Sequence, residues 1–134
     1  MQIVVIDGQG GGIGKNLIER LRAELPKAQI IAVGANSIAT SAMLKAGADV
    51  GATGENAVIC NARTSDVIAG PIGILVANAM WGEITPVMAA AVSTSQAQKV
   101  LIPVEQCRVH VAGIVEKTMS KYIEDAVDAI RSYQ

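Results

Sequence analysis

Five of the seven residues from Gly8 to Gly14 are glycine, in the run Asp7-Gly8-Gln9-Gly10-Gly11-Gly12-Ile13-Gly14-Lys15. The chemistry such a run could do is phosphate binding. A helix that starts in glycines presents free backbone amides and a partial positive charge, and the missing side chains let an anion approach the chain. Gly8, Gln9, Gly10, Gly11, Gly12, Ile13 and Gly14 are therefore the candidate contacts, with Lys15 offering charge. Asp7 stands at the mouth of this loop. Its carboxylate would repel a bare phosphate, so it either accepts hydrogen bonds from the loop's own amides or holds a metal–phosphate ion. A tight turn with no ligand is the bland alternative; the entropic cost of five glycines argues against it.

Glu83 is the second carboxylate of interest. Between Arg63 and Glu105 the only other charged residues are Asp66 and Lys99. An isolated acid among apolar residues is either a general acid–base group or a helix-terminal anion, and Asp7 and Glu83 are the weak catalytic candidates. Asn36 and Ser37 follow the second apolar run, where a ribose would sit, and Gly70 and Pro71 follow the third. The stretch Thr53-Gly54-Glu55-Asn56 is a further candidate wall of the pocket. Cys107 and His110 are too few ligands for a metal site, and His110 reads as a buried residue in a strand. Cys60 has no evident base beside it. No metal is expected.

The elements that must position these groups alternate in type. Gln2–Ile6 is a continuous β-branched run, suited to a parallel strand covered on both faces. Ile13, Leu17, Ile18, Leu21 and Leu25 recur at helical spacing until Pro26. Gln29–Val33 reads as a strand, and Ile38–Ala46 as a helix capped by Asn36 or Ser37 and closed by Gly47. Ala48–Asn56 reads as a loop, and Ala57–Ala62 as a short helix capped by Glu55 or Asn56. Val67–Ala69 is expected to be a strand and Ile72–Met80 a helix. Thr85 caps the next helix, with Pro86 in its first turn. Lys99–Ile102 and Arg108–Ile114 read as the last strands, and Met119, Tyr122, Ile123, Ala126, Val127 and Ile130 mark the inner stripe of a closing helix.

Strands alternating with helices define an α/β fold: a three-layer, Rossmann-like sandwich over residues 1–134, with a mainly parallel sheet of about five strands in the order 3-2-1-4-5. Half of the residues are apolar, enough for a core without disulfides, and the net charge is −1, so no basic surface for nucleic acid is expected. With no Phe, one Trp and two Tyr, a platform of aromatic residues for base stacking is not expected either. The uncharged stretch from Val67 to Gly82 is interrupted by Gly70, Pro71 and Gly73 and falls short of the roughly 20 residues of a membrane helix, so no membrane contact is expected. Two unpaired cysteines and no signal segment point to the cytoplasm. Val87–Val92, preceded by Met80 and Trp81, lacks a polar face, which points to a homo-oligomer, a dimer first, through the Met80–Val92 region.

The spacing Gly8-xxx-Gly12-Ile13-Gly14 is similar to the TGxxxGIG loop of short-chain dehydrogenases, over about 20 residues from Ile3 to Leu21. Three features depart from that family. Asp7 replaces its usual Thr, no acid ends the second strand to hold an adenosine ribose, and the Tyr-xxx-Lys pair is missing, because Tyr122 is followed four residues later by Ala126. A P-loop fits worse, since it would need Gly at Gln9 and Ser or Thr at Asn16. Nearly full length, the chain resembles a family of short bacterial proteins known as a domain of unknown function. The resemblance lies in Ile6–Gly14, Thr40–Ala48, Gly51–Ala57, Gly70–Ile74 and Gly82–Pro86. It implies a stand-alone domain and assigns no activity. The expected function is a nucleotide- or dinucleotide-binding module, with NAD(P) or another nucleotide as cofactor. The alternatives are a small enzyme on a phosphorylated or nucleotide substrate using Asp7 and Glu83, and an interaction subunit without a small ligand.

Overall fold

A computed structural model describes residues 1–104 and 108–134. Five parallel strands form one sheet: β1 (Gln2–Asp7), β2 (Gln29–Gly34), β3 (Val50–Thr53), β4 (Val67–Pro71) and β5 (Gln98–Ile102). Their order is β3-β2-β1-β4-β5. The helices are α1 (Gly12–Glu24), α2 (Ser37–Lys45), α3 (Glu55–Ala62), α4 (Pro86–Thr94) and α5 (Met119–Arg131).

The alternation of side chains along β1 builds two cores. Ile3 and Val5 face Leu17, Leu21, Met43, Val127 and Ile130 of α1, α2 and α5. Val4 and Ile6 face Val58, Met88 and Val92 of α3 and α4. Because both faces are covered, every residue from Ile3 to Ile6 is buried, which is why the run reads as continuously apolar. The α/β sandwich and the strand order thus match the sequence reading.

Two strands were assigned differently. Val50–Thr53, expected to be loop, is β3 and pairs in register with Ile31–Gly34. It reads poorly as a strand because Gly51 and Ala52 carry almost no side chain. A Cβ at Gly51 would come within 2.9 Å of Leu44 and Thr40 of α2, so the small residue lets α2 lie close against this edge. Arg108–Ile114, expected to be the last strand, is irregular, and His110 within it is exposed rather than buried. Only five residues separate it from the end of β5, too few for the crossover of a dozen or more that a further parallel strand needs. Cys107 lies outside the described residues.

The expected helix at Ile72–Met80 is a single 3-10 turn, Ile72–Leu75, followed by a folded-back loop. In that loop Asn78 donates its amide to the Ile84 carbonyl (2.6 Å) and Ile84 donates to Ala79 (3.2 Å). Asn78, Met80 and Trp81 all have positive φ, which ends any helix there. Gly54, not Glu55 or Asn56, precedes α3 as its cap residue. Asn36 caps α2 and Thr85 caps α4, as their positions suggested.

Gly70 stands where β4 passes the end of β1. A Cβ there would collide with the Ile6 backbone carbonyl. Gly70→Ala is therefore expected to lower the unfolding free energy by about 2–3 kcal/mol in urea denaturation. An unchanged midpoint would contradict the close approach of the two strands.

Candidate functional site

β1 ends in Asp7, which is 4% exposed. Its Oδ1 accepts from the Gly8 amide and its Oδ2 from the Gly14 amide, each at 2.8 Å. The carboxylate therefore bridges the end of β1 to the first turn of α1. This is the first of the two roles expected for it. Burial raises its pKa above the usual 3.8, the charge of Glu83 adds to that, and the amides of Gly14, Gly8 and Ile13 oppose it. Gly11 precedes the helix with φ +74 and packs against the backbone of Ala39, a place without room for a side chain.

Glu83 lies in the loop before α4, yet it does not serve that helix. Thr85 fills that role by accepting from the Met88 amide at 3.1 Å. Glu83 instead reaches across to the other two loops. Its Oε1 accepts from the Gln9 amide (2.6 Å) and the Gln9 side-chain amide (2.8 Å), and its Oε2 accepts from Asn36 Nδ2 (2.6 Å). Asn36 Nδ2 also donates to the Gln9 carbonyl, and Gln9 Nε2 donates to the Met80 carbonyl. Burial pushes the pKa of Glu83 up, but the hydrogen bonds from Asn36 and Gln9 outweigh it and leave the group below its usual 4.5.

These bonds use most of the loop's donors. Gly8 and Gly14 donate to Asp7, Gln9 to Glu83, and Gly11 to the Gly8 carbonyl. Among the described residues, the amides of Gly10 and Gly12 make no hydrogen bond. Both glycines are exposed, and a Cβ on either would meet nothing within 4 Å. They border an open cleft of about 610 Å³ over the C-terminal ends of β1 and β4. That volume falls in the range of small-molecule sites. Its far walls come from Pro71, Gly73, the loop through Asn78, Met80 and Trp81, and Val104 and Arg108.

Of the residues expected at the site, Gly8 to Ile13, Asp7 and Pro71 line this cleft. Gly14 lies just below, with its amide on Asp7 and Met43 packed against it. Asn36, Ser37, Gly70 and the Thr53–Asn56 stretch are not among the lining residues. Asn36 is held by Glu83, and Glu55 accepts from the Thr85 hydroxyl at 2.6 Å. Lys15 is exposed on α1 outside the cleft, where Arg108 supplies the cation instead. Sequence reasoning missed Trp81, Asn78 and Arg108. Arg108 was read as the start of a strand and Trp81 as an oligomer contact. The nearest signal was Asn78 in an otherwise apolar stretch ahead of Gly82, a turn former that a helix there does not need.

A parallel sheet in this order, with a glycine loop at the first strand–helix turn and a cleft beyond the strand ends, defines a Rossmann-like α/β domain. Over residues 2–134 the chain belongs to the family described as Domain of unknown function (DUF3842). Among solved structures, it is similar to a dodecameric FMN-dependent Ubix-like decarboxylase from Escherichia coli O157:H7. The identity is 19%, the match covers 98% of this chain and 76% of that one, and the TM-score is 0.47. No curated protein sequence matches the chain. Among the described residues, no helix is long and apolar enough to cross a membrane, and no cluster of His, Cys, Asp and Glu has the makings of a metal site.

The two carboxylates are expected to respond to pH with opposite sign. Asp7 has its folded pKa raised, so its contribution to stability is complete below 3.8 and is lost as pH rises through the folded value. Glu83 has its folded pKa lowered, so its contribution is present above 4.5 and is lost as pH falls through the folded value. Urea unfolding of Asp7→Asn and Glu83→Gln against the parent chain, from pH 3 to pH 8, checks this. The advantage of Asp7 over Asn should shrink toward neutral pH, and that of Glu83 over Gln should grow. Parallel slopes would contradict the two environments.

Proposed function

We propose that this domain binds a nucleotide-type phosphate in the cleft over the ends of β1 and β4. The observation that carries the reading is the pair of unsatisfied amides, Gly10 and Gly12, on the wall of that cleft at the positive end of α1. Arg108 supports it as the cation among the described lining residues. Binding is favoured over acid–base catalysis because Asp7 and Glu83 both spend their two oxygens on hydrogen bonds that hold the loops. An enzyme using those two acids would have to break the bonds that shape its own site. An interaction subunit without a small ligand leaves the cleft and its free amides unexplained.

Gly12→Val tests the reading, since a Cβ at this position at the start of α1 meets nothing within 4 Å. Calorimetric titration with nucleotides and sugar phosphates is expected to give saturable binding by the parent chain. A loss of at least about tenfold in affinity is expected for Gly12→Val, with an unchanged melting curve. Failure of every phosphate compound to bind would overturn the reading and favour the interaction subunit.

A second reading concerns assembly. The outward side of α4 exposes Pro86, Val87 and Ala90, with Val87 at 51%, while Met88, Ala89 and Val92 face the core. We propose that this apolar strip meets its copy in a two-fold dimer. Light scattering at micromolar concentration should then report a dimer for the parent chain and a monomer for Val87→Asp. A monomeric parent chain would sink the dimer without touching the ligand site.

A further inference from the structure

We infer that the site takes a phosphate carrying one planar ring, of the size of a nucleoside monophosphate, and excludes dinucleotides. The inference rests on the phosphate-binding reading above and adds which half of the crevice is open. In a sheet of this order, β1 is flanked by β2 on one side and β4 on the other. A dinucleotide needs both sides, with its adenosine over the end of β2 and its second half toward β4.

Here the β2 side is closed. Glu83 arrives from the loop before α4, Gln9 from the loop after β1, and Asn36 from the loop after β2. Five hydrogen bonds of 2.6–3.1 Å join the group, one of them from Gln9 to Met80. Asn36 is further fixed because its Oδ1 caps α2 by accepting from the Ala39 amide at 2.9 Å. The latch occupies the ground over which an adenosine ribose would lie. Among the described residues, none of the β2–α2 turn lines the cleft. β2 also ends in Gly34, without the acid that would hold ribose hydroxyls.

The β4 side is open, and its chemistry suits a ring. Trp81 is 97% exposed although it borders a cleft, so its indole is open to a partner beside a lining that includes Ile13, Pro71, Val76, Met80 and Val104. A large aromatic ring left in water gains by stacking on a planar partner. Pyrimidine, purine and flavin rings all meet that requirement, because stacking reads a flat face rather than a hydrogen-bonding edge. The phosphate then falls at Gly10 and Gly12, with Arg108 to balance its charge.

The chain contains one tryptophan, so intrinsic fluorescence reports Trp81 directly. Adenosine, uridine and riboflavin monophosphates would be titrated by calorimetry and by Trp81 fluorescence, beside NAD, NADP and FAD. At least one monophosphate should bind and change Trp81 emission, with all three dinucleotides at least about tenfold weaker. Trp81→Ala should weaken the monophosphate about fivefold or more and leave the melting curve unchanged. Opening the latch with Glu83→Ala should narrow the gap between the two classes. Gln9→Ala, which keeps the backbone bond to Glu83, should do the same if Glu83→Ala does not fold. Dinucleotides binding the parent chain as tightly as monophosphates, or monophosphate affinity unaltered in Trp81→Ala, would overturn the inference while the phosphate site stands. Absence of binding by every compound would overturn the phosphate site itself.

Discussion

The turn from the central strand into the first helix depends on one buried carboxylate. Asp7 sits at the last position of the central strand and holds the amides of Gly8 and Gly14 at once. The run Gly8–Gly14, five of its seven residues glycine, has a large conformational entropy to lose, and one side chain holds its first and last amides. Without that anchor, the strand and the helix would still pack through Val5 and Leu17, but the end of β1 and the first turn of α1 would lose the side chain that joins them. The cost is an acid removed from water beside Glu83, and burial accordingly raises its pKa.

The loop is then tied outward. Glu83, Gln9 and Asn36 come from three separate connections and meet beside the glycine run. None of the three is close to another in sequence, and each is polar in a neighbourhood that is otherwise apolar. Their union decides which crevice beside β1 is filled and which is left open. The loop carrying Trp81 is in turn held at Met80 by Gln9, so the exposed ring stands on a braced support despite its positive φ.

The sheet was legible because its central strands are simple. β1, β2 and β4 are largely buried on both faces, β1 and β2 are rich in β-branched residues, and α1 and α5 show clear stripes. β3 was hidden because an edge strand of Gly51 and Ala52 carries no hydrophobic pattern to read. Arg108–Ile114 has an apolar pattern but is irregular among the described residues. At the site, the glycine loop was visible from spacing alone. Glu83 was noticed for its isolation, but its direction depends on contacts 47 and 74 residues away in the chain, and no local rule supplies those. Trp81 reads in the sequence as part of an oligomer contact; that it also borders the cleft depends on the folded-back loop, which no local pattern announces.

A loop shaped by its own acid has a further property. The strand, the turn and the helix end hold their arrangement with no anion supplied from outside, because Asp7 already satisfies the amides that would otherwise compete for one. The ordering of the turn is therefore met during folding by the chain itself. What the chain leaves over, among the described residues, is the pair of amides at Gly10 and Gly12 that neither Asp7 nor Glu83 engages.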